Sequence, residues 1–209
     1  NVTAAYHDDV NYNDANMSAL FHVSPASSSV VIVPANITYL DDETITVTVP
    51  IRNASGRVVV KINGTVVDER TVSGDNPSYE FAVPGLAAGE YNVTAEYSDD
   101  VNYNSSTNGS LFHVDKANIT DIPGKEGLLV VPANITYLDD ETVVVTVDVP
   151  NATGLVTIAI NGTDVELTKN ITENGDGSVS FVVPGLAVGE YNVTAAYHDD
   201  VNYNDANMS

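Results

Sequence analysis

The chain has 209 residues, with 29 acidic against 7 basic side chains, a formal charge of −22, and neither Cys nor Trp. Such a surface repels polyanions, which excludes nucleic acid as a partner and disfavours anionic membranes, and the lack of Cys removes disulfides, thiolate metal sites and Cys nucleophiles. At 43% apolar and 17% charged, the sequence is that of a folding chain rather than an acidic tail, and its longest apolar runs, such as Val30–Pro34, are far shorter than the roughly 20 residues that cross a bilayer, so no membrane contact is expected within this segment.

Internal repetition sets the organisation. Asn1–Ser18, NVTAAYHDDVNYNDANMS, is identical to Asn192–Ser209 and is followed by ALFHV at Ala19–Val23. These first 23 residues read as the last two strands of a preceding repeat. VPANITYLDDET at Val33–Thr44 returns unchanged at Val131–Thr142, and VPGLAAGEYNVTA at Val83–Ala95 returns with one change at Val183–Ala195. The two offsets differ by an insertion around Thr168–Gly177. The expected units are therefore 1–23, a domain at 24–114, and a second domain at 115–209 that lacks its last strand. The whole reads as a window on a longer tandem array, with the absent strand supplied by continuing chain or by a neighbouring molecule.

Within the first unit the strands are expected at 30–40, 43–50, 56–62, 65–72, 78–83, 89–97 and 108–114. Apolar residues alternate with polar ones throughout: Ile45, Val47 and Val49 against Thr44, Thr46 and Thr48, and Tyr91, Val93, Ala95 and Tyr97 against Asn92, Thr94 and Glu96. That period of two gives sheets with one buried and one wet face. Asn63-Gly64 and Asn161-Gly162 are the pairs that type I′ hairpins require. Tyr91 and Tyr191, each just after a Gly at the entry to the sixth strand, stand where a tyrosine corner would sit. Seven short strands in about 90 residues predict an all-β fold of tandem immunoglobulin-like Greek-key β-sandwiches.

Asn-x-Ser/Thr sequons start at Asn1, Asn16, Asn36, Asn53, Asn63, Asn92, Asn104, Asn108, Asn118, Asn134, Asn151, Asn161, Asn170, Asn192 and Asn207. Composition predicts about 4 by chance, so N-glycans on outward strand faces are expected. Acidic loops are the second candidate. Strand reversal should bring Asp41, Asp42 and Glu43 of one domain close to Asp199, Asp200 and the linker residue Asp115, an oxygen-only set suited to a structural Ca²⁺ at the domain junction. Lys116 is the alternative partner for those acids. No further cofactor is expected. His7, His22, His113 and His198 lack a supporting constellation, and no nucleophile elbow or phosphate loop occurs, so no catalytic residue is assigned and the chain is not read as an enzyme.

The series VPANITYLDDETxxVTV, an NGT hairpin, VPGLAxGEYNVTAxY, a DDVNYN loop and a closing LFHV strand resembles the Ig-like repeats of large bacterial and archaeal surface proteins, nearest to the adhesin-like proteins of methanogens. The resemblance implies an extracellular, cell-surface, non-catalytic stalk, adhesin or filament. Its partners would be neighbouring repeats or subunits of the same protein and a cell-surface or glycan receptor. Two rivals remain at this level. One is a carbohydrate-binding module using Tyr12, Tyr103 or Tyr203, and the other a filament subunit completed by a donated strand.

Overall fold

The computed structural model describes residues 1–83, 85–172 and 175–208. Glu173 and Asn174, within the inserted loop of the second repeat, lie outside the described residues, as do Pro84 and Ser209. Among the described residues every regular element is a strand. β1 (Val2–Tyr6) and β2 (Ala15–Ala19) form a separate antiparallel hairpin, and every residue of both is exposed.

The first sandwich contains β3 (Val31–Val33), β4 (Ile37–Thr38), β5 (Glu43–Thr48), β6 (Arg57–Ile62), β7 (Thr65–Thr71), β8 (Ser78–Val83), β9 (Gly89–Ser98) and β10 (Ser106–Asp115). One sheet runs β3-β5-β8 and the other β4-β10-β9-β6-β7. The strand expected over 30–40 is thus two strands in different sheets: β3 is antiparallel to β5, while β4 is parallel to β10, with Val114 opposite Ile37. The cause is Pro34, which has no N–H to offer a ladder. At the crossing the freed Ala35 N–H donates to the buried carboxylate Oε1 of Glu43 at 2.9 Å. Between the sheets Ile45, Val47, Val58, Val60, Phe81, Val93, Ala95, Tyr97, Phe112 and Val114 make one core.

The second sandwich contains β11 (Gly127–Val131), β12 (Glu141–Asp148), β13 (Leu155–Ile160), β14 (Glu166–Asn170), β15 (Ser178–Val183), β16 (Val193–His198) and β17 (Ala206–Met208). Its sheets are β11-β12-β15 and β14-β13-β16-β17, around a second core that includes Val143, Val145, Ile158, Phe181 and Tyr197. Glu141 repeats the role of Glu43, accepting from Ala133 N–H at 2.6 Å.

The two Asn-Gly pairs differ. Asn63 and Gly64 both have positive φ, 48° and 83°, as a type I′ hairpin requires. At the second pair Gly162 has φ 79° and Asn161 is not in the left-handed region. There Thr163 N–H and its hydroxyl both donate to Ile160 O, at 3.2 and 2.8 Å, and the turn is of type II over Ile160–Thr163. The tyrosine corners form as expected: Tyr91 and Tyr191 donate their hydroxyls to Ala87 O and Ala187 O at 2.9 and 3.0 Å.

Candidate functional site: the loop staples and the joint between sandwiches

The second Asp of each DDVNYN loop is a structural staple. Asp200 is buried, and its Oδ2 accepts from the Tyr197 hydroxyl at 2.5 Å, from Thr153 N–H at 2.7 Å and from the Thr153 hydroxyl at 2.9 Å. Its Oδ1 accepts from the backbone N–H groups of Asn202 and Tyr203 at 2.7 and 3.0 Å. Burial pushes the Asp200 carboxyl up, but these donors outweigh it and hold the group below the usual carboxylate range. Asp100 repeats the arrangement with Tyr97, Ser55 and Asn102. The Tyr97 hydroxyl above all, with the Asn102 and Ser55 donors, holds Asp100 at about 2, while Tyr97 itself is pushed up to about 12 by burial and by Asp100. In the exposed hairpin Tyr6 still bonds Asp9, and Asn11 N–H reaches Asp9 Oδ1 at 2.7 Å, so the loop closes without a core beneath it.

The staple requires a glycine one residue beyond its Ser or Thr. A Cβ on Gly154 would lie 2.5 Å from His198 O and 2.8 Å from the Tyr197 ring, and Gly56 is equally confined beneath Tyr97. The sequence signal for the staple was a Tyr three residues before an Asp in all three copies, Tyr6/Asp9, Tyr97/Asp100 and Tyr197/Asp200. Alternation alone assigns those Tyr to the core and the Asp to solvent.

The acids expected to share a cation are therefore not brought together. Asp200 and Glu43 are consumed inside their own sandwiches. Asp41 accepts from Thr38 N–H at 3.2 Å, Asp199 faces His198 at 3.0 Å, Asp115 faces His113 at 3.3 Å, and Asp42 is exposed. Among the described residues no group of three or more His, Asp or Glu is placed to hold a metal. Lys116 donates to the backbone carbonyl of Asp200 at 2.6 Å rather than to a carboxylate.

Neutral groups occupy the joint instead. Tyr39, at the end of β4, packs against both cores and meets Tyr203 edge to face, with ring centroids 5.4 Å apart. Asn151 Nδ2 donates to the Tyr39 hydroxyl at 3.3 Å, and Ala88 N–H donates to Asn202 Oδ1 at 2.9 Å. The linker is tied down as well, because Ala117 exchanges hydrogen bonds with Asn202 and Asn204, both at 2.9 Å. Tyr203 is fully buried and its hydroxyl donates to Pro150 O at 2.8 Å, which removes it as a carbohydrate platform. Tyr103 donates to Arg52 O at 3.0 Å, and Tyr12 is exposed.

All fifteen sequon asparagines lie on exposed positions. At four of them the amide nitrogen that would carry a glycan is engaged as a donor: Asn104 to Pro25 O, Asn108 to Val30 O, Asn118 to Asp121 and Asn151 to Tyr39.

Residues 30–114 match the family model described as bacterial Ig-like domain (group 3). No curated protein matches the chain. Among solved structures, the CARDB domain of PF1109 from Pyrococcus furiosus is similar at 20% identity, covering 42% of this chain and 95% of that one, with a TM-score of 0.32. The fibronectin(III)-like modules of Clostridium thermocellum CbhA are similar at 13% identity over 85% of this chain and 90% of theirs, with a TM-score of 0.36. The human OSCAR ligand-binding domain is similar at 14% identity over 89% and 99%, with a TM-score of 0.31. With two sheets facing each other in each repeat and the family match across the first, the chain is an all-β protein of tandem Ig-like sandwiches.

Proposed function

We propose that this chain is a non-catalytic segment of a cell-surface stalk or adhesin, in which Ig-like domains act as extracellular spacers and carry N-glycans. The observation that supports this most is the joint. Tyr39 packs on both cores and the linker is hydrogen-bonded to the DDVNYN loop, so successive sandwiches hold a set relation rather than hanging on a free tether. A tandem array of such units projects its far end away from its anchor. Exposed sequons on Asn36, Asn92 and Asn192, together with a charge of −22, suit a surface that must stay soluble beside copies of itself.

Protease shaving of intact source cells, followed by mass spectrometry of the released peptides, tests the reading. Peptides bearing glycan increments at Asn36, Asn92 or Asn192 are expected. Recovery of the protein only from lysed cells, with unmodified Asn at all three, would overturn it.

A further inference from the structure

The outer face of the β11-β12-β15 sheet is built from Leu129, Val131, Thr142, Val144, Ser180 and Val182, the residues that alternate with its core positions. Val131, Val144 and Ser180 lie opposite one another in register and form the central row. Val131 and Val182 are 61% and 55% exposed, and Leu129 and Val144 are half-buried. The three strands carry only two charged residues. Glu141 is buried, and Asp148, at the end of β12, is paired with Lys125 at 2.8 Å.

The matching sheet of the first sandwich is different at three of these positions. It has Thr46, Glu80 and Ala82 where the second has Val144, Ser180 and Val182, so one face holds a central carboxylate and the other holds apolar side chains around a hydroxyl. Sequon asparagines also keep off this sheet: they occur within β9, β10, β14 and β17, all in the facing sheets, and none lies within β11, β12 or β15. We propose that this face is a contact between two copies of the chain, which lie side by side with their β11-β12-β15 sheets stacked about a two-fold axis near Val144. The inference goes beyond the stalk reading and does not depend on whether the sequons carry glycans.

Charge selects a second copy as the occupant. Each chain carries −22, so most ways of bringing two together press carboxylates against carboxylates. This face meets its own image without desolvating an unpaired charge, since Glu141 points inward and Asp148 keeps its own lysine. A basic partner, which the rest of the surface would attract, finds no free carboxylate here to pair with. The valines of one face fit between those of the other at the usual sheet spacing of about 10 Å. Area sets the strength of the contact. Three strands about 4.8 Å apart, each some five residues long at about 3.3 Å, offer roughly 240 Å² per partner, against about 800 Å² in a standard stable interface. The pairing is therefore weak and reversible.

Sedimentation equilibrium of the whole chain over a concentration series, in salt that screens its charge, tests the proposal. Wild type is expected to show a monomer–dimer equilibrium populated at high concentration. Ser180→Glu puts a carboxylate on the face and should weaken the dimer by about ten-fold or more. Its fold is expected to persist by circular dichroism, because the first sandwich carries Glu80 at the same position. Thr168→Glu adds the same charge to exposed β14 on the other sheet and should leave the dimer as it was. The chain has no Cys, so single thiols report the geometry directly. A short bismaleimide should join Val144→Cys chains into dimers and leave Thr168→Cys chains single. A wild type monomeric throughout would leave the face to a partner of another kind and overturn the proposal. So would a Ser180→Glu chain that associates as strongly as wild type, or equal crosslinking of the two Cys variants, either of which puts the contact on another surface.

Discussion

Gly89-Glu90-Tyr91-Asn92 and Gly189-Glu190-Tyr191-Asn192 are the same four residues, yet the first four belong to β9 and the second four to no strand. The difference lies beside them. β10 runs antiparallel to β9 from Ser106 opposite Tyr97 to Val114 opposite Gly89, whereas β17 accompanies β16 only from Ala195 to Tyr197. Val93 is accordingly fully buried and Val193 half-buried. Ile37 likewise belongs to β4 because Val114 lies opposite it, and Ile135, in an identical local sequence, belongs to no strand. Strand formation here is decided by the neighbour that completes the ladder, and local propensity only permits it.

The largest expected effect turns the first sandwich into a likeness of the second. Phe112→Ala removes a ring buried against Tyr91, and such a truncation costs about 3–5 kcal/mol. In calorimetry the transition of the first sandwich should fall towards that of the second; a transition that stays in place would show that β10 contributes little. The converse change sharpens the comparison. Extending the chain beyond Ser209 by Ala-Leu-Phe-His-Val should fill the cleft beside β16 and stabilise the second sandwich by about 3–6 kcal/mol, from one Phe and one Val removed from water.

A smaller effect is confined to acid-dependent stability of the first sandwich. Asp100 is held at about 2, against about 3.9 for a free Asp, so its contribution is whole above the free value and is lost as pH falls towards 2. Glu43 behaves in the opposite sense. Burial pushes it up, with Ala35 N–H opposing, so its contribution is whole at acid pH and is lost as pH rises through its raised value. Urea midpoints should show that Asp100→Asn removes the acid loss and that Glu43→Gln removes the decline above it. Unchanged slopes in both variants would place the pH dependence elsewhere.

The alternation of Ile45, Val47 and Val49 with Thr fixed which face of β5 is buried, and the position of Tyr91 after Gly89 marked the corner, because both depend on residues within a few positions of one another. The sequence reading ran one strand through Pro34 although a proline inside a run demotes it, and the sheet that β4 would join depended on β10, some 75 residues away. The roles of Asp100 and Asp200 were not read from the sequence because a Tyr in the core phase of a strand can still point its hydroxyl back at the loop that follows. The joint could not be read from composition. Tyr39, Asn151 and Tyr203 come from three distant segments, and nothing local to any one of them says that the others are near. The turn at Asn161-Gly162 differs from its copy although Ile62–Thr65 and Ile160–Thr163 are the same four residues, so the tetrapeptide does not decide the turn type.

The parallel pairing of β4 with β10 has a mechanical meaning. The chain enters the first sandwich through β3 and β4 and leaves through β10, so a pull on its two ends drags β4 one way and β10 the other along their common axis. Val114 with Ile37 and Asp115 with Thr38 are then loaded in shear, all their bonds at once, rather than peeled apart one by one. Among the described residues the second sandwich shows no counterpart of this pair, because Ile135, the copy of Ile37, belongs to no strand.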